Sequence, residues 1–227
     1  MTYDFCIPTY QRYDKLKKCL EFIPVQDNIV IHVYFDNNDF ETLDKINELD
    51  LAHHVFVMEK KYQAFGIWNY HLKHLFNSDV MVYLCDDVYL WPDTMKNMER
   101  HFNEKFPDTD GVITFKQENL KGSDSAMGCI GRKFVERYPD NQVFNPNYVS
   151  FYADTDLGNY AKKLSKFHYG EDCLIHHAHP ITGVKADTTH HIIRGIEKTI
   201  DIQVNKIRKE KGLLYPINLE MIDRETV

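Results

Sequence analysis

Six short runs of apolar, β-branched and aromatic residues punctuate the chain, and several lack a strict alternation of apolar and polar positions: Tyr3 to Ile7, Ile29 to Phe35, His54 to Met58, Val80 to Leu84, Gly111 to Phe115 and Cys173 to His176. A strand with one wet face alternates, whereas a strand covered on both faces has no need to. Segments of helical period lie between some of these runs, at Tyr13 to Phe22, Phe40 to Leu49 and Ala64 to Phe76. That order predicts an α/β fold with a mostly parallel central sheet and helices on both faces. No internal repeat, low-complexity tract or Gly/Ser linker marks a second domain. At 227 residues and 43% hydrophobic content, one well-buried core is expected. The stretch Asn119 to Asn147 has little periodicity and is expected to hold functional loops. Thr188 to Lys211 reads as an amphipathic helical tail, stopped by Gly212 and followed by Pro216.

A net charge of −7 argues against indiscriminate affinity for nucleic acid, which clustered Lys and Arg would drive. The tail is locally positive, with Lys185, Arg194, Lys198, Lys206, Arg208, Lys209 and Lys211 set against Asp187, Glu197, Asp201 and Glu210. A solvated helix face is the plain explanation of such a run. The five cysteines, Cys6, Cys19, Cys85, Cys129 and Cys173, are widely spaced and mostly lie in apolar runs, so they read as small core residues. No stretch has the roughly 18 uninterrupted apolar residues of a membrane span, and Met1 to Asp14 lacks the order of a signal peptide. The expected location is cytoplasmic, with no membrane partner.

In open α/β sheets, ligands bind beyond the carboxyl ends of the strands. Polar residues gather there: Pro8, Thr9, Tyr10, Gln11 and Arg12 after the first run, Asp36, Asn37, Asn38 and Asp39 after the second, and Cys85, Asp86 and Asp87 after the fourth. Asp and Asn at one strand end are ordinary turn chemistry. Three such clusters together point to a ligand. Asp86 and Asp87 have the chemistry that a hard divalent cation on a diphosphate requires, Mn²⁺ or Mg²⁺, with helix capping as the alternative. Asp154 and Asp156 precede a helical stretch, Gly158 to Ser165, and either one can cap that helix or deprotonate an incoming hydroxyl. In Ile175-His176-His177-Ala178-His179-Pro180, an extended backbone would turn His177 and His179 to one side, where an imidazole can ligate a cation or simply pack. The pair His190 and His191 reads as helix surface.

Taken in order, these segments resemble the GT-A glycosyltransferases, particularly the family-2-like group, and small stand-alone transferases of this kind occur in phages. The residues carrying the resemblance are the turn Ile7-Pro8-Thr9-Tyr10-Gln11-Arg12, the acidic strand end Phe35-Asp36-Asn37-Asn38, the helix residue Asn69 ahead of Val80 to Leu84, and the late histidines. The resemblance covers about the first 180 residues. It implies a GT-A (Rossmann-like) catalytic domain over 1–184, with a nucleotide-sugar half at about 1–92, an acceptor half at about 93–184, and a helical extension over 185–227. It implies a donor site of Pro8, Thr9, Tyr10, Arg12, Asp36, Asn38, Asn69 and Asp86, and a cation held by Asp87 with His177 or His179. The family's Asp-x-Asp appears here as Cys85-Asp86-Asp87, so its first acidic position is missing. Asp154, in Ala153-Asp154, inherits the place of the catalytic base of inverting members. The implied reaction moves a sugar from a nucleotide sugar, a UDP-sugar by the resemblance, to an acceptor hydroxyl with Mn²⁺ or Mg²⁺. A soluble glycan, a protein side chain, a small molecule and a hydroxymethylated base in DNA all stand as acceptors. A nucleotidyltransferase would want a glycine-rich phosphate loop, which Tyr10-Gln11-Arg12-Tyr13 does not supply. A non-catalytic sugar-nucleotide binder would account for Cys85.

Overall fold

The computed structural model describes residues 1–46, 51–59, 62–118, 126–179 and 196–217. Their elements are β1 (Tyr3–Thr9), α1 (Tyr13–Glu21), β2 (Ile29–Asp36), α2 (Phe40–Ile46), β3 (His54–Met58), α3 (Ala64–His74), β4 (Val80–Tyr83), β5 (Val88–Leu90), α4 (Thr94–Lys105), β6 (Val112–Gln117), β7 (Gly128–Gly131), α5 (Arg132–Val135), a 3₁₀ turn (Pro139–Asn141), α6 (Ala153–Lys163), β8 (Phe167–His177) and α7 (Ile196–Glu210). The strands form one sheet in the order β3-β2-β1-β4-β7-β6-β8-β5. Pairing is parallel from β3 through β4 and between β6 and β8, and antiparallel where β7 inserts and where β5 closes the far edge. The sheet is therefore mixed but mostly parallel, in an α/β arrangement with helices on both faces.

Every residue of β1 and of β4 is buried, which is why neither run alternates. The helices show the complementary pattern. In α1 the buried positions are Tyr13, Leu16, Cys19 and Leu20, one stripe at three- and four-residue spacing. In α3 Phe65, Trp68 and Leu72 make the same stripe, and the Trp68 indole donates to the Cys6 carbonyl at 3.2 Å, tying α3 to β1. Cys6, Cys19, Cys129 and Cys173 are buried in the core and Cys85 is half-buried.

Two segments differ from the sequence expectation. Residues 128–131 form a central strand inside the stretch expected to be loop, and Asp154 and Asp156 sit in the first turn of α6 rather than ahead of a helix. The tail helix ends in Leu213 N–H donating to Arg208 O and Gly212 N–H donating to Lys209 O, with Gly212 at φ +65°, where a Cβ would be disfavoured. His190, His191 and the start of the expected tail helix lie outside the described residues, as do Lys185, Asp187 and Arg194. No helix among the described residues is long and apolar enough to cross a membrane.

Candidate donor and cation site

β1 and β4 pair in parallel, Cys6 beside Tyr83, so the segments that leave them emerge at the same edge of the sheet. There Thr9 Oγ1 donates to Asp86 Oδ2 at 2.7 Å, and Arg12 Nη1 donates to Asp86 Oδ1 at 2.9 Å and to Asp87 Oδ2 at 3.3 Å. Asp86 and Asp87 are only 2% and 1% exposed. Burial pushes the Asp86 carboxyl up to about 6; Arg12 opposes that rise and the neighbouring Asp87 adds to it. One guanidinium thus faces both carboxylates.

The antiparallel pairing of β5 with β8 sets Val88 opposite His177, and Ala178 N–H donates to the Asp87 carbonyl at 2.8 Å. This register brings His177 Nε2 to 3.4 Å from Asp87 Oδ1. Behind it, His177 Nδ1 lies 2.9 Å from Gln117 Oε1. With Gln117 accepting from Nδ1–H, the lone pair of His177 is on Nε2, on the side of Asp87. A carboxylate oxygen and an imidazole nitrogen so placed are a fitting donor pair for Mn²⁺ and, through the oxygen, for Mg²⁺. The His179 ring packs on His177 with centroids 4.9 Å apart, so the two imidazoles do lie together, but the one facing Asp87 is His177. Gln117, the last residue of β6, had no signal in the sequence, because a glutamine ending an apolar strand is unremarkable until its neighbour across the sheet is known.

The remaining expected donor residues spread outward from this centre. Pro8 is buried in β1, Tyr10 is half-buried beside it, and Asn38 is exposed. Asp36 ends β2, is buried, and accepts from the Tyr62 N–H at 3.4 Å. Asp39, only 1% exposed, caps α2 by accepting from Thr42 N–H at 3.1 Å, and accepts from Gln11 N–H at 2.6 Å. It is a joint between the first two polar clusters, and it holds Gln11 at φ 53°, in the left-handed region. Asn69 pairs both ends of its amide with Phe144, Nδ2 donating to the carbonyl at 2.6 Å and Oδ1 accepting from the N–H at 2.8 Å. It therefore anchors the 142–148 segment to α3. Between that segment and α3 lies a cavity of about 300 Å³, lined by Tyr62, Asn69, Tyr70, Lys73, Asn145 and Tyr148 among others.

Asp154 belongs to a second cluster. It is half-buried in the first turn of α6, directly after Tyr152, whose φ is 71°. The segment leading to it is fastened by α7: buried Asp201 accepts from the backbone N–H groups of Val149, Ser150 and Phe151 at 2.8 to 2.9 Å. Asp156, one helical step from Asp154, accepts from Asn145 Nδ2 at 2.6 Å and from Arg208 Nη2 at 3.1 Å, with Arg208 only 1% exposed. Asp156, Asp201 and Arg208 are thus a scaffold for the start of α6, where Asp154 sits.

No protein-family model and no curated protein sequence matches the chain. Solved structures do. The S. aureus TarS fragment 1–349 in complex with UDP-GlcNAc superposes with a TM-score of 0.64 at 15% identity, over 86% of this chain and 62% of that one. Mannosyltransferase PcManGT from Pyrobaculum calidifontis, in complex with GDP-Man and Mn²⁺, gives 0.60 at 16% identity over 91% and 64%. Glucosyl-3-phosphoglycerate synthase from Mycobacterium tuberculosis, in complex with Mn²⁺, UDP and glucosyl-3-phosphoglycerate, gives 0.66 at 10% identity over 93% and 80%. This chain therefore spans less than two thirds of the first two. At these identities the likeness is one of backbone architecture: the chain has the GT-A fold that these glycosyltransferases share.

Proposed function

We propose that this protein transfers a sugar from a nucleotide-sugar donor to an acceptor hydroxyl with the help of a divalent cation. The observation carrying this reading is the 3.4 Å approach of His177 Nε2 to Asp87 Oδ1, beside Asp86 and Arg12, at the strand-end edge of a GT-A sheet. The similar structures hold UDP-GlcNAc, GDP-Man with Mn²⁺, and UDP with Mn²⁺, and this chemistry is extended here to a UDP-sugar with Mn²⁺ or Mg²⁺. Asp87 and His177 would hold the cation, which when bound offsets charge on the departing diphosphate.

The protein's own groups supply the rest. Arg12, now shared between two carboxylates, is within reach of a phosphate placed at the same edge. Asp36, which accepts from the Tyr62 N–H, takes the base or ribose, and Tyr62 and Tyr70 line a neighbouring cavity with rings that suit stacking. Asp154 receives the acceptor proton as the oxygen attacks the anomeric carbon, and a single displacement of that kind inverts the centre. Acceptors consistent with this are a soluble glycan, a protein side chain, a small molecule or a hydroxymethylated DNA base, the last supported by the basic residues Lys198, Lys206, Lys209 and Lys211 on and just after α7.

The test is a thermal-shift screen of nucleotide sugars with and without Mn²⁺, since a ligand bound to the native state raises the melting temperature. A donor should stabilise the wild type more strongly with Mn²⁺, and Asp87→Asn should remove that increment while leaving the metal-free melting temperature nearly unchanged. His177→Ala should behave like Asp87→Asn, and His179→Ala should keep most of the increment. Mn²⁺-dependent stabilisation that survives Asp87→Asn would overturn the assignment.

A further inference from the structure

The opposite end of β1 holds a cluster that the proposed transfer does not use. Asp4 on β1, His32 on β2 and His71 on α3 are all buried, at 3%, 7% and 0% exposure, and one ligand atom from each lies within 4.8 Å of the others. Asp4 and Thr9 are five residues apart on β1, about 16 Å by strand rise, so this cluster is well separated from the donor edge. We propose that Asp4, His32 and His71 form a second cation site, for a divalent transition ion of the zinc type.

The two imidazoles face one carboxylate, each opposite a different oxygen. His32 Nε2 lies 3.7 Å from Asp4 Oδ1, and His71 Nε2 lies 3.5 Å from Asp4 Oδ2. Both distances exceed the 2.7 to 3.2 Å of an ordinary N–H···O bond. They are close to the separation of about 3.3 Å that two ligand atoms take on a tetrahedral ion with bonds of about 2.0 Å. Both ring nitrogens of His32 and the Nε2 of His71 are buried without a hydrogen-bond partner. Leaving such atoms unsatisfied costs about 1 to 3 kcal/mol each, and a bound ion is one of the few things that would satisfy them.

The surroundings are those that orient metal ligands. His71 Nδ1 is 2.7 Å from the Tyr34 hydroxyl, whose oxygen can accept from Nδ1–H and leave the lone pair on Nε2. Asp4 is fixed by Ser78 Oγ at 2.5 Å and Asn77 N–H at 3.2 Å. Two neutral imidazoles and one carboxylate leave a fourth position for water, the donor set of many three-ligand zinc centres. His32 is the member nearest the sheet edge, its ring stacked at 5.0 Å on that of His54, an exposed residue on β3. An ion here would fasten α3 to the β1–β2 half of the sheet, below the donor edge.

Cobalt titration of the full chain carrying Asp87→Asn and His177→Ala tests this, because that variant silences the proposed donor cation and keeps the buried cluster intact. One equivalent of Co²⁺ should bind and give the strong visible absorption of a four-coordinate ion. No binding, or only the weak spectrum of the hydrated ion, would overturn the proposal whatever the fate of the transferase reading. In the same background Ser78→Ala should weaken Co²⁺ binding about tenfold or more, as loss of an outer-shell partner does. His71→Gln should abolish it. Undiminished binding by a folded His71→Gln protein would equally overturn the site, and if that variant does not fold, the titration of the parent variant decides.

Discussion

The edge holding Asp86 and Asp87 and the corner holding Asp156 and Asp201 are both built from buried aspartates, yet they are balanced differently. At the corner every carboxylate is answered: Asp201 by three backbone N–H groups, Asp156 by Asn145 and by Arg208. At the edge two carboxylates share one guanidinium, one of them faces an imidazole nitrogen, and burial drives Asp86 toward protonation. The corner clasps its carboxylates with donors from the chain, whereas the edge sets two adjacent carboxylates beside an imidazole. A carboxylate pair with an imidazole next to it suits a cation or a cation with its phosphates, and a carboxylate held by backbone and side-chain donors is scaffold.

The largest effect should come from Asp154, in the first turn of α6 beside that scaffold. Asp154→Asn is expected to lower transfer by roughly 10² to 10⁴, the usual contribution of a general base, with donor and metal binding retained. Steady-state rates at saturating donor check this, and full turnover by the variant would remove Asp154 from the mechanism. Asp156→Ala should act on stability instead. It leaves the Arg208 guanidinium buried and uncompensated, a loss of about 3 to 5 kcal/mol, visible as an earlier urea midpoint. A midpoint within error of wild type would show that the corner is not a saturated scaffold.

Smaller effects test the edge. Asp36→Ala should weaken donor binding by about 1 to 3 kcal/mol, the range of one charged hydrogen bond, as titration calorimetry would register. If donor binding is normal and the protein melts early, Asp36 serves only the turn after β2. The last effect is a slope. A carboxyl whose folded value is raised to about 6 from an ordinary 3.8 binds more protons in the native than in the unfolded state between those values. The metal-free protein should therefore lose stability as pH rises across that window, and Asp86→Asn should flatten this component. A steeper decline in Asp86→Asn than in wild type would reverse the sign and contradict the assignment.

Much of the architecture was legible because both-face burial writes itself into the sequence as unbroken apolar runs: the β1, β2 and β4 runs lie within a residue or two of their strands, and the β3 run matches its strand although most of that edge strand is exposed. β7 was not legible. Gly128-Cys129-Ile130-Gly131 has two glycines in four residues, and glycine argues against a strand. The structure supplies the reason: a Cβ on Gly128 would sit 2.4 Å from the Ile113 carbonyl oxygen of the neighbouring strand. β5 was missed because three residues carry no period. At the site, the polar clusters at strand ends were visible one at a time, but their connections are long-range: Thr9 reaches Asp86 across 77 residues, and Gln117 reaches His177 across 60. Partners of that kind are fixed by register, which no local pattern encodes. The Asp4, His32 and His71 cluster shows the same gap, since each residue alone looks like an ordinary buried polar side chain.

The attachment of α7 also sets an order of events during synthesis. The backbone at 149–151 is tied to a residue 50 to 52 positions further along the chain. While the polypeptide is still emerging, the strands around the donor edge can pair with partners already made, but the turn that aims Asp154 waits for its clamp. The edge around Asp87, complete once His177 has been made, should thus form before the turn at 149–151 is fastened.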